Sequence, residues 1–147
     1  MIAALALAAA LAPGALHPLP QGQLSYSRSC GGCHGLMGVS AKDEVPDLRN
    51  RVGIFLCSSK GRDYVVRLPN VAFAAMDDET LAGALNFMMF DLGGPSVPSN
   101  SNRFSRPFTA QEVNRLRVRP LKARNLLQLR TEALAMSSPE CLASSPN

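Results

Sequence analysis

Ser29-Cys30-Gly31-Gly32-Cys33-His34-Gly35 constrains this chain more than any other segment. The spacing Cys-x-x-Cys-His is that of c-type haem attachment. Two thiols three positions apart reach the two vinyl groups on one edge of a porphyrin. The next residue then aims its imidazole at the iron from one face, and imidazole is a standard axial donor. The segment predicts one covalently bound haem c per chain, with Cys30 and Cys33 as the thioether residues and His34 as an iron ligand. Whatever fold forms must wrap a flat apolar disc anchored here. Rival uses fit worse. A dithiol redox pair opens a helix after a strand in an alternating β/α pattern, and no strong strand precedes Cys30. A structural zinc site takes four ligands, and the chain has two histidines and no second close cysteine pair.

Composition agrees with a bound disc. At 147 residues the chain is one domain by length, yet only 5% of it is aromatic and Trp is absent. Side chains alone make a thin core, and a cofactor supplies the missing apolar surface. Two histidines do not furnish a hydrolase triad. Residues 1–12 form an unbroken apolar run, Met1 to Ala12, followed by Pro13-Gly14-Ala15 and a Pro-rich stretch to Pro20. This reads as a signal peptide and linker over 1–20, too short to span a bilayer, and predicts a periplasmic or otherwise exported protein. An exported compartment permits disulfides. Cys57 and Cys141 either bridge each other or remain as separate thiols.

Residues 21–92 resemble a class I c-type cytochrome domain. The likeness rests on Tyr26-Ser27-Arg28-Ser29-Cys30-Gly31-Gly32-Cys33-His34-Gly35, on Val45-Pro46-Asp47-Leu48 and on Asp77-Asp78-Glu79-Thr80-Leu81-Ala82. The first piece is specific, the second moderately so and the third weakly. The resemblance implies a mainly α, cytochrome c-like helical fold around one haem. Its haem domain would cover 21–94, with a basic C-terminal helical extension over 95–136 and a loose tail over 137–147.

The pattern along the chain predicts the elements. Residues 21–30 form a first helix, with Gly22, Tyr26 and Cys30 on one face; the small residue at 22 lets a second helix cross closely. Residues 35–50 form a loop. Residues 51–57 are an apolar run that is either helix or strand, and 64–68 read as extended, ending at Pro69. The clearest helix covers 78–91. Asp77 caps it, Asp78 and Glu79 suit its N-terminus, and Leu81, Ala84, Leu85, Met88 and Met89 repeat at helical spacing. Thr109-Ala110-Gln111-Glu112 is a capping box that opens a short helix. A last helix runs from Leu121 to Met136, with Leu126, Leu127, Leu129 and Leu134 mostly on one side. No internal repeat is visible.

The cytochrome likeness also implies a second axial ligand, and His with Met is the pair of electron-carrying cytochromes. Met76, just before the acidic helix, is the first candidate, with Met88 and Met89 as alternatives; each also reads as core filler. The family's Met stands several residues before the acidic start, often beside Pro, whereas Met76 abuts that start. Met37 is too near His34 to reach the opposite face, and His17 or an open site completes the options. An open iron binds small molecules, with Arg67 as a candidate distal residue.

The chain carries a formal charge of +4. Between Arg103 and Arg130 stand eight Lys or Arg and one acid, Glu112. Such a patch steers a protein toward an acidic partner; a solvated face, or peripheral contact with an anionic membrane, is the other reading. Nucleic acid is not expected. The sequence thus predicts an exported monohaem electron carrier that is not an enzyme, serving a redox partner protein, acidic or a dehydrogenase. A haem enzyme or ligand sensor with an open sixth position is the alternative.

Overall fold

The computed structural model describes residues 20–41, 45–98, 103–135 and 141. The apolar run of residues 1–12, His17 and Met136 lie outside them. Among the described residues the elements are helical: α1 (Gln21–Ser29), α2 (Gly31–His34), a 3-10 helix (Val52–Cys57), α3 (Ser59–Arg67), α4 (Pro69–Ala72), α5 (Asp78–Asn86), α6 (Ala110–Arg117) and α7 (Leu126–Ala135). The fold is mainly α and cytochrome c-like in its helical content, as the sequence predicted.

The crossing of α1 and α5 organises the molecule. Both helices present a glycine there. A Cβ on Gly22 would run into the Gly83 carbonyl, whereas one on Gly83 would make only ordinary contact, so the close approach depends on Gly22. One turn further, Tyr26 is fully buried, its ring 5.3 Å from that of Phe87. Helix α5 starts as predicted: the Asp77 carboxylate accepts from the Thr80 N–H at 2.7 Å. Its regular part ends at Asn86, and the chain continues as a π-helical turn over Phe87–Leu92. Met89 is fully buried there and Met88 nearly so.

Two stretches differ from their sequence reading. Residues 64–67 are not extended; they end α3. The Ser58 hydroxyl accepts from the Gly61 N–H, and the helix stops where Leu68 turns extended before Pro69. Burial of Tyr64, Val65 and Val66 outweighs the weak helix propensity of β-branched and aromatic residues. The last helix begins at Leu126 rather than Leu121, after a single 3-10 turn over Ala123–Asn125, and Leu127 points outward at 83% exposure. The undecided run 51–57 is the 3-10 helix, with Val52, Phe55, Leu56 and Cys57 buried.

The C-terminal helices share the core of the rest. Val113 and Leu116 of α6 are buried in one cluster with Tyr26, Leu56, Val66 and Leu85. Thr109 caps α6 through the Glu112 N–H at 3.2 Å. The Glu112 carboxylate, which a capping box would turn back, instead grips Arg62 of α3 through two bonds of 2.8 and 3.0 Å. Arg62 is 2% exposed, gives two further bonds to the Phe104 and Arg106 carbonyls, and stacks on Phe108. Its buried charge is therefore fully partnered. Cys57 and Cys141 form a disulfide across 84 positions. By chain entropy a loop of that length stabilises the fold by about 4.5 kcal/mol.

Candidate functional site

Helix α1 delivers the Cys-x-x-Cys-His segment, and its own residues fix how. The Cys30 N–H donates to the Tyr26 carbonyl, and one more turn follows at once, with the His34 N–H donating to the Cys30 carbonyl at 3.0 Å. The buried Tyr26 donates its hydroxyl to the Gly35 carbonyl at 2.8 Å, so α1 holds both ends of the segment. Gly35 has φ +75°, and a Cβ there would strike the Val39 carbonyl. The chain can leave His34 in this direction only through glycine.

Cys30 is half-buried, Cys33 is exposed, and both thiols are free. Burial, and secondly the neighbouring Cys33, pushes the Cys30 thiol above its ordinary range. Tyr26 is pushed up to about 12 by burial and then by Cys30. Cysteines that exchange disulfides have lowered values, because the thiolate attacks. Cys30 has the opposite bias. Among the described residues no group of three or more His, Cys, Asp and Glu side chains stands close enough to hold a metal ion by itself.

The His34 ring is oriented from the loop. Its Nδ1 lies 3.0 Å from the Pro46 carbonyl, which only an Nδ1–H can satisfy. That tautomer leaves Nε2 with its lone pair free, the usual arrangement for a metal-binding histidine. The loop is braced in turn: the Asp47 carboxylate accepts from the Ser40 N–H, and the Ser40 hydroxyl donates to the Cys33 carbonyl.

A cavity opens beside these groups. Its lining takes Ser29, Cys30, Cys33 and His34 from the attachment segment, Leu81, Ala84, Leu85 and Met88 from one stripe of α5 and its π-turn, and Asn70, Val71 and Ala74 from α4 and the following loop. Apart from the attachment segment its walls are apolar save for Asn70 and the Met88 sulfur.

Here the chain meets its relatives. It is similar to cytochrome c-552, through two proteins of that name from Thermus thermophilus. Each is 26% identical over 116 residues, covering 67% of this chain and 86% and 76% of the respective relative. No protein-family model matches the chain, and no solved structure matches it. The likeness points to a c-type cytochrome, and the residues present fit a haem c. Two free thiols and an oriented imidazole stand together at the edge of an apolar cavity.

The structure brings Cys30, Cys33, His34 and Met88 to that cavity. It does not bring Met76, which is half-buried but absent from the lining, its carbonyl accepting from Arg117 at 2.9 Å. Met89 is packed in the core, and Met37 is 54% exposed. Arg67 is no distal residue: it donates to the Arg119 carbonyl at 2.6 Å and lines a separate hollow between α3 and α7.

Two residues escaped the sequence reading. Asn70 had no periodic or motif signal beyond its place after Pro69. Arg117 looked like one more basic surface residue. It is 16% exposed, and its guanidinium donates to the carbonyls of Ala72, Ala74 and Met76 and to the Asp78 carboxylate, at 2.6 to 3.1 Å. The other basic residues of 103–130 are exposed.

Proposed function

We propose that this protein is an exported c-type cytochrome that carries one haem c and shuttles electrons between redox proteins. Cys30 and Cys33 would hold the group through thioethers, and His34 would ligate the iron through Nε2. The bound haem supplies reversible one-electron exchange at its iron. The observation that carries this reading is the His34–Pro46 bond beside two free thiols at an apolar cavity. Pro46 fixes the tautomer and ring angle, Tyr26 and Gly35 set the turn, and the α5 stripe excludes water.

Export is supported by the apolar leader of residues 1–12 and by the Cys57–Cys141 disulfide, a bond of oxidising compartments. N-terminal sequencing of the mature protein tests the leader. No helix of the described residues is long and apolar enough to cross a membrane. The exposed Arg115, Arg119, Lys122, Arg124 and Arg130 support an acidic partner surface, a dehydrogenase or another carrier.

The attachment is tested on protein matured with the cell's haem-attachment machinery. Haem should stay with the denatured chain on a gel and give a c-type pyridine haemochrome, and a Cys30→Ala, Cys33→Ala variant should lose both signals. Haem that leaves the unmodified protein in acidic organic solvent would overturn the covalent claim.

A further inference from the structure

An iron held by His34 has a second axial place, and the cavity limits what can fill it. Axial bonds to haem iron come from His, Met, Cys thiolate or Tyr. Among the residues that line the cavity, Cys30, Cys33, His34 and Met88 are of these kinds. The attachment takes the first three, which leaves the Met88 thioether.

The other described methionines are placed elsewhere. Met89 is fully buried, Met37 is exposed and Met76 is half-buried, and none of the three lines the cavity. The Met76 backbone is also tied down. Its carbonyl accepts from Arg117, its N–H donates to the Ala74 carbonyl at 2.8 Å, and the next residue caps α5.

The direction of Met88 follows from its helix. Leu81, Ala84, Leu85 and Met88 stand at i, i+3, i+4 and i+7, and all four line the cavity, so this face turns toward it. Leucine fills the same stripe at 81 and 85; position 88 differs from them in offering a sulfur. Two neighbours fix the backbone that carries it. The Asn86 carboxamide donates to the Phe108 carbonyl at 3.0 Å and accepts from the Phe108 N–H at 2.6 Å. The Phe87 ring packs on that of Tyr26, whose hydroxyl holds the attachment segment through Gly35. One connected set of contacts therefore runs from Met88 to the residue after His34. Regular helix gives way here to the π-helical turn over Phe87–Leu92, and such turns inside helices recur at functional sites.

We infer that Met88 is the second axial ligand of the haem iron, its thioether supplied from inside a packed helix rather than from a loop. The inference rests on the haem reading above. It departs from the cytochrome likeness, whose methionine stands before the acidic helix start. Helix α5 packs on both α1 and α6, so the sulfur cannot swing away as a donor on a loop can. The iron stays closed to small ligands, and the His–Met pair raises its reduction potential.

The test uses matured, haem-loaded protein, with covalent haem checked first on a denaturing gel. Lack of covalent haem overturns the Cys30, Cys33 and His34 assignment, and the Met88 bond with it; the remaining outcomes judge Met88 alone. The oxidised protein should show the weak near-infrared charge-transfer band of sulfur ligation. Met88→Leu, which keeps the volume and the apolar stripe, should lose that band and lower the reduction potential. Its reduced form should bind carbon monoxide, seen as a Soret shift, roughly tenfold faster or more than the unmodified protein. Met76→Leu and Met89→Leu should keep the band. Absence of the band in the unmodified protein would overturn the inference. So would a band that survives in Met88→Leu or disappears in Met76→Leu.

Discussion

Replacing Arg117 by leucine should loosen the backbone from 72 to 78 and destabilise the whole fold. The side chain makes four hydrogen bonds, to the Ala72, Ala74 and Met76 carbonyls and the Asp78 carboxylate. Bonds from a charged donor contribute about 1.5–3 kcal/mol each at best. At 16% exposure the guanidinium is partly reachable by water, and water would replace several of these bonds once it is gone. The net loss is therefore about 2–4 kcal/mol rather than the full sum. For a chain of this size that lowers Tm by roughly 5–15 °C. Urea unfolding followed by far-ultraviolet circular dichroism reads it directly, with Arg115→Leu, an exposed neighbour on the same helix, as the control. Arg117→Lys keeps the charge but not the fork and should fall between. A loss of less than about 0.5 kcal/mol in Arg117→Leu, equal to that in Arg115→Leu, would show that the clamp stabilises nothing.

Two more predictions concern charge. The Glu112 carboxyl is lowered because the Arg62 and Arg106 bonds and charges together outweigh the upward effect of burial, which is the largest single influence. A lowered folded value means stability that is present above the ordinary carboxylate range and is lost as pH falls through the folded value. Acid unfolding should therefore shift to higher pH in Glu112→Gln, which should also cost about 3 kcal/mol at neutral pH by leaving buried Arg62 half-partnered; an unshifted acid transition would refute the pairing's role. Reversing Arg115 and Arg119 to Glu should slow electron exchange with the physiological partner, most at low salt. An unchanged rate and salt dependence would mark that face as merely solvated, and Arg117 must stay intact in this experiment because it is structural.

The parts of the fold that sequence disclosed are those governed by local rules. Asp77 and Thr109 cap helices because short oxygen-bearing side chains reach a free N–H three residues on. The small residue at 22 predicted a close crossing, and the crossing partner, Gly83, is the same kind of residue. What stayed hidden depends on partners far along the chain. Tyr64, Val65 and Val66 look like a strand until their burial against the 3-10 helix, α6 and α7 is known. The site divides the same way. Cys30, Cys33 and His34 are adjacent and carry their chemistry in their spacing. Asn70 stands 36 positions beyond His34 (70 − 34), and only folding sets it at the same cavity. Met76 stands out in sequence by its element type and its nearness to α5, and the structure leaves it outside the cavity lining.

Arg117 shows why charge counting misled. In sequence it is one of eight cations in a lopsided run, and the natural reading of such a run is a surface for partners. A guanidinium is also the side chain best suited to collecting several carbonyls at once, since it has five donors in a fixed plane. A chain that must hold a wall of a cavity open, against the tendency of apolar surfaces to collapse together, needs that wall tied from behind. Helix α6 does this through Arg117 while burying Val113 and Leu116 in the common core. The basic segment thus serves two ends on opposite sides. Its inner face sets α4 and the loop before α5, and with them one wall of the cavity. Its outer face presents Arg115 and Arg119 to solvent.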